Sequence, residues 1–173
     1  MKSLVVYSSL TGNTRKIAEA IVKGLPESYV LAPVEEAPAP QGYDVVFMGF
    51  WVDKGKADAK TLDYVDKLKG VKTAFFFTLG DYPNSNHADR VHHSTVVLLE
   101  DIGSTVLGGF RSQGKVDPEL IEKMKQMLPP DNPHAQMTPE RKARLEEAAK
   151  HPNEEDFVKA EAFAKEIVAK VQG

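Results

Sequence analysis

The chain has 173 residues, no cysteine and a formal net charge of -3, which excludes disulfides, cysteine-ligated metal centres and thiol catalysis and offers nothing to nucleic acid. With 42% apolar and 27% charged residues and a mean hydropathy of -0.34, the composition is that of a soluble globular protein long enough for one full core. The longest uncharged apolar runs, 45–52 and 73–79, are too short to cross a bilayer; with an N-terminus that leads straight into a strand, they predict a single cytoplasmic domain without membrane insertion.

In chain order, runs rich in β-branched and aromatic residues predict strands at 3–7, 29–32, 44–50, 72–78 and 104–110. After the first, Ile17, Ala18, Ile21, Val22 and Leu25 follow the i, i+1, i+4, i+5, i+8 spacing of one buried helical stripe. Gly24 and Pro26 mark its end. The connection 32–42 holds three prolines and two glutamates, so it reads as an exposed loop. Val45-Val46-Phe47-Met48 is apolar at consecutive positions, as a strand buried on both faces requires. Leu62, Val65 and Leu68 give a short helical stripe, and 88–102 a longer one. The alternation predicts an open, mainly parallel α/β sheet covered on both faces.

From 112 to 153 the pattern changes. Pro129-Pro130, Asp131-Asn132-Pro133 and His151-Pro152 punctuate two short helices, about 118–127 and 139–150. Large apolar residues are too few there for a separate core, so the segment is an excursion from the sheet. Asn153 then caps a last helix whose stripe runs Phe157, Ala160, Phe163, Ala164, Ile167, Val168 and Val171.

Ligands of doubly wound sheets settle outside the carboxyl ends of the strands, and three such ends carry unusual residues. The first is Tyr7-Ser8-Ser9-Leu10-Thr11-Gly12-Asn13-Thr14, a strand turning directly into a helix N-terminus. Unpaired N–H groups and the positive dipole end converge at such a joint and make an anion socket. Ser9, Thr11 and Thr14 offer hydroxyls, Asn13 an amide, and Gly12 close backbone approach. The turn has no lysine or arginine, and neither G-x-x-x-x-G-K-[ST] nor G-x-G-x-x-G is present. It therefore suits one phosphate held by neutral donors, although the same residue types also make ordinary helix caps. The second end, Gly49-Phe50-Trp51-Val52-Asp53-Lys54-Gly55, contains the only tryptophan. The third is Thr78-Leu79-Gly80-Asp81-Tyr82-Pro83. Two loop aromatics beside a phosphate socket predict a flat ring system sandwiched between them. His87, His92 and His93 lack an i, i+4 pair, so no metal site is predicted.

The first turn resembles the flavodoxin phosphate loop, S/T-x-T-G-x-T, with Ser9-Leu10-Thr11-Gly12-Asn13-Thr14 matching every fixed position. The second and third loops resemble the two flavin-ring loops of that family. More narrowly, 50–55 and Phe110-Arg111-Ser112-Gln113-Gly114-Lys115 look like a bacterial and archaeal subfamily, some of whose members are named as companions of bilirubin reductase. The resemblance implies a flavodoxin-like doubly wound sandwich, with five parallel strands in the order 2-1-3-4-5, and FMN as cofactor. It assigns the FMN phosphate to Ser9, Leu10, Thr11, Gly12, Asn13 and Thr14. The ring falls to Phe50, Trp51, Val52 and Gly55 in the second loop, and to Leu79, Gly80, Asp81 and Tyr82 in the third. Trp51 would stack on one face and Tyr82 on the other.

Flavodoxin-type proteins shuttle electrons between redox partner proteins, a reductase among them, and no side chain need act as acid, base or nucleophile. Two features depart from the family pattern. Lys54 and Lys56 lie near the ring loop where acidic residues are usual, and Tyr82 precedes a proline and comes early in its loop. They motivate an alternative, an FMN-dependent NAD(P)H oxidoreductase acting on a quinone or similar small acceptor.

Overall fold

Strands buried on both faces set the centre of the molecule, whose computed structural model describes all residues, 1–173. The strands are β1 (Ser3–Tyr7), β2 (Tyr29–Pro33), β3 (Val45–Asp53), β4 (Lys56–Ala57), β5 (Lys72–Leu79) and β6 (Thr105–Gln113). The helices are α1 (Asn13–Lys23), α2 (Ala59–Val65), α3 (Asn86–Asp101), α4 (Pro118–Met127), α5 (Pro139–Ala148) and α6 (Glu154–Gln172). Five strands run parallel in the order β2-β1-β3-β5-β6, while β4 folds back antiparallel on the end of β3. Counting only the parallel strands, this is the 2-1-3-4-5 order, with β4 as an unpredicted addition.

Strand alternation sorts the apolar residues into two cores. Val46, Met48 and Phe50 of β3, with Phe75 and Phe77 of β5, meet Leu68, Val91 and Leu99 on one face. Val5, Val45, Phe47, Ala74 and Phe76 meet Ile17, Ile21, Ala164 and Ile167 of α1 and α6 on the other. Each large side chain buried this way is worth roughly 1.5–3 kcal/mol. Gly49 makes room for Phe76, whose ring atoms would stand 2.1 Å from an added Cβ.

Two strands are longer than their apolar runs suggest: β3 continues to Asp53 and β6 to Gln113, past the predicted ends at 50 and 110. The strand also decides Phe50, which stood both at the end of the predicted strand and in the second loop. Predicted in the ring loop, it lies inside β3 with no exposure and stacks on Phe77 at 5.3 Å between centroids. It is a core residue. The connection 32–42 is a loop broken by one 3-10 turn, Val34–Glu36. The excursion holds α4 and α5 at the predicted places, and Asn153 closes a capping box with Asp156 at the start of α6.

Candidate functional site

The switch in strand order falls between β1 and β3, since β2 lies on one side of β1 and β3 on the other. Above that point β1 runs out at Tyr7 and the chain enters α1 through Gly12, whose φ of 97° is the left-handed conformation that glycine adopts without strain. An added Cβ at Gly12 would meet nothing within 4 Å, so the cradle is open toward solvent. The N–H groups of Leu10, Thr11, Asn13 and Thr14 have no protein partner, while those of Gly12 and Arg15 rest on the Ser9 hydroxyl at 3.1 and 3.3 Å. Four free donors and the hydroxyls of Ser9 and Thr11 therefore lie together in one short turn at the positive end of the α1 dipole.

The remaining two side chains of this turn are engaged elsewhere. Asn13 donates its Nδ2 to the Lys115 carbonyl at 2.9 Å, across 102 residues of sequence. Thr14 is buried, and its Oγ1 shares a hydrogen bond of 2.8 Å with Thr78 Oγ1 at the end of β5. The turn is thus tied to the third loop and to the end of β6. Gly114 permits the latter tie, because a Cβ there would stand 2.6 Å from Asn13 Nδ2.

Beneath the turn lies a residue that the sequence reading missed. Asp58 is 2% exposed, caps α2, and accepts from Ser8 Oγ at 2.8 Å, Thr61 Oγ1 at 2.9 Å and Thr61 N at 3.3 Å. It locks the root of the phosphate-type turn to the hairpin that follows β3. The available signal was Asp58-x-x-Thr61 before an apolar stripe, the pattern of a helix N-cap.

The second predicted loop is a tight hairpin. Asp53 pairs with Lys56, and between them Lys54 and Gly55 both have positive φ, 50° and 80°. Two such central residues make a type I′ turn, whose twist matches the flanking strands. Trp51 is half-buried near the tip, and its parity with Phe47 and Gly49 puts it on the α1 face of the sheet, opposite Phe50. Val52 packs on the other core. Lys54 and Lys56 are exposed, and Gly55 lies beside His87, whose Cε1 is 3.8 Å from a Cβ built there.

In the third loop, Leu79 is buried, Gly80 and Asp81 are half-buried, and Tyr82 is 38% exposed. The excursion leans on this loop: Val116 Cγ2 would be 2.4 Å from a Cβ on Gly80, and Arg144 lies 3.8 Å from Asp81 Oδ1. On the far side, Arg111 donates Nε to His92 Nδ1 at 3.3 Å, and burial followed by this guanidinium holds the His92 imidazole below its usual range. The excursion's own anchor is His151, whose ring meets Asp156 at 2.6 Å and Glu147 at 3.3 Å. Burial opposes its protonation, but these two carboxylates outweigh it and raise its pKa.

The structure thus gathers Ser9–Thr14, Trp51, Val52, Gly55 and residues 79–82 at one sheet edge and removes Phe50 from it. A cleft of about 420 Å³ lined by Pro40, Tyr43, Asp44, Lys69 and Val71 opens at the opposite, amino ends of the strands and includes none of these residues. No helix is long and apolar enough to cross a membrane.

Residues 4–165 match the family model described as Flavodoxin domain. The flavodoxin-like domain-containing protein BilS of Clostridioides difficile (strain CD3) is 36% identical over 177 residues, covering 98% of both chains. Among solved structures, a flavodoxin from the domain Archaea aligns with a TM-score of 0.64 at 16% identity, covering 100% of each chain. A flavoprotein from Lactobacillus acidophilus NCFM in complex with FMN aligns with a TM-score of 0.53 at 18% identity, covering 70% of this chain and 97% of that one. These two structures speak for the fold, whereas the family model and the BilS identity extend along nearly the whole sequence, so this chain belongs to the flavodoxin-domain family.

Proposed function

We propose that this protein binds FMN and carries electrons between redox partner proteins in the cytoplasm, with a reductase as the donor. The observation that carries the reading is the neutral donor cradle at the start of α1: four unpartnered N–H groups and two hydroxyls, without a lysine or arginine in the turn. Such a donor set fits the single terminal phosphate of FMN. Ser9, Leu10, Thr11, Asn13 and Thr14 hold that phosphate, with Gly12 giving it access. Trp51 offers a ring face from the α1 side, and the hairpin tip and residues 80–82 offer backbone groups and Tyr82 to the ring's edge. FMN, when bound, supplies the redox chemistry. The protein binds, orients and shields it.

The test is reconstitution. Purified protein mixed with FMN should retain the flavin through gel filtration and show its visible absorption. NADPH alone should leave that band unchanged, and NADPH with a separate flavodoxin reductase should bleach it. Protein that stays colourless with added FMN overturns the cofactor, and rapid bleaching by NADPH alone replaces the carrier with an oxidoreductase.

A further inference from the structure

The stretch Arg111-Ser112-Gln113-Gly114-Lys115, at the end of β6, has no role in the reading above, yet it touches both loops of the site. Arg111 donates Nη1 to the Pro83 carbonyl at 3.2 Å and to Asp89 Oδ1 at 2.5 Å. Gln113, 2% exposed, donates Nε2 to the Gly80 carbonyl at 3.2 Å. The backbone adds Gly114 N to the Leu79 carbonyl at 2.9 Å, and Ser85 N closes on the Tyr82 carbonyl at 3.1 Å.

The carbonyls of Leu79, Gly80, Tyr82 and Pro83 are therefore all occupied by the protein. The N–H groups of Gly80 and Asp81 are not; only that of Tyr82 is taken, by Asp81 Oδ1 at 2.8 Å. The C=O and N–H of one planar trans peptide point opposite ways, so holding the Leu79 and Gly80 carbonyls turns the N–H groups of Gly80 and Asp81 the other way. Two of the inward bonds come from side chains of β6.

We propose that Arg111 and Gln113 are positioning residues of the flavin-ring site, clamping the carbonyls on either side of Tyr82 so that the loop turns its free N–H groups toward the ring. The role rests on the FMN reading. It has a definite chemical sense. Donors aimed at an isoalloxazine edge favour electron density there, so the clamp makes the bound flavin easier to reduce. Gln113 suits this task because it spans the distance from β6 to Gly80 without a charge to desolvate, and its amide nitrogen also reaches the Arg144 carbonyl of the excursion at 3.5 Å.

The experiment compares wild type with Gln113→Leu and, as a variant at a less buried position, Arg111→Ala. FMN, riboflavin and inorganic phosphate serve as separate probes of binding, and the flavin midpoint potential is recorded. Each substitution should weaken FMN and riboflavin by the same factor, on the order of tenfold for one lost clamp bond. Phosphate affinity should stay at the wild-type value, and the potential should move negative. Unchanged flavin affinity and potential in both variants overturn the proposal, as does an equal loss of phosphate binding, which would mean general loosening.

Amide exchange on the ligand-free proteins judges the clamp without flavin. Ser85 and Gly114 should lose protection in Gln113→Leu, and retained protection overturns the clamp. A wild type that fails to take up FMN and riboflavin while its variants lose this protection sinks the FMN reading and, with it, the ring role.

Discussion

Replacing Asp58 by alanine tests whether the site is held from below. The carboxylate accepts three hydrogen bonds, two from hydroxyls and one from the Thr61 amide, and is almost wholly buried. Loss of the helix cap costs about 1 kcal/mol. The hydroxyls of Ser8 and Thr61 are left without this acceptor in places closed to water, at roughly 1–3 kcal/mol each. Removing a buried carboxylate also removes its desolvation cost, which offsets part of the loss. The net expectation is about 3–4 kcal/mol, or a melting point lower by about 10 °C for a chain of this size. Asp58→Asn should cost only about 1 kcal/mol, because an amide oxygen in the Oδ1 place still caps α2 and accepts from Ser8 Oγ, and the amide nitrogen in the Oδ2 place can donate to Thr61 Oγ1. Urea unfolding of the ligand-free protein measures both. An alanine variant within about 0.5 kcal/mol of wild type, the range of an ordinary surface change, would show that these bonds do not hold the site. Asparagine as damaging as alanine would show that charge, rather than the count of acceptors, is what Asp58 supplies.

The Thr14 and Thr78 hydroxyls pair only with each other among protein groups, so Thr14→Val should cost about 1–2 kcal/mol by leaving Thr78 unpaired, while Thr14→Val with Thr78→Val should return close to wild type in the same urea assay. Asn13→Ala removes the bond to the Lys115 carbonyl and should cost about 1 kcal/mol; its loss of FMN affinity by titration should be smaller than that of Thr11→Ala. Phe50→Ala should destabilise by about 3–5 kcal/mol, because its ring is packed in the core against Phe77. His151 has a raised pKa in the folded state, so its contribution is fully present below the unfolded value of about 6.5 and is lost as pH rises through the folded value. Melting points at about pH 6 and pH 8 should therefore converge between wild type and His151→Gln at the higher pH, and a gap that widens with pH would reverse the sign.

Much of this protein was legible along the chain because its signals are local. Consecutive apolar residues at 45–48 fit a strand covered on both faces, and the stripe from Ile17 to Leu25 fits a helix packed on one side. The strand–turn–helix joint at 7–14 carries its own chemistry, since helix N-termini expose donors wherever they occur. These patterns, together with the missing lysine, led from the sequence to a phosphate cradle, and the two further loops led to a flat ring.

Other assignments depended on partners distant in sequence. Phe50 and Trp51 are adjacent aromatics, and only the continuation of β3 to Asp53 decides that one enters the core and the other the site edge. Asn13 and Thr14 carry groups suited to an anion, yet their partners are Lys115 and Thr78, 102 and 64 residues away. The clamp of Arg111 and Gln113 on residues 80–83 has the same origin. Residue type states what a side chain can bind and periodicity states which face it shares. Which partner it meets is settled when parallel strands, joined by long crossovers, bring the ends of β1, β3, β5 and β6 to one edge.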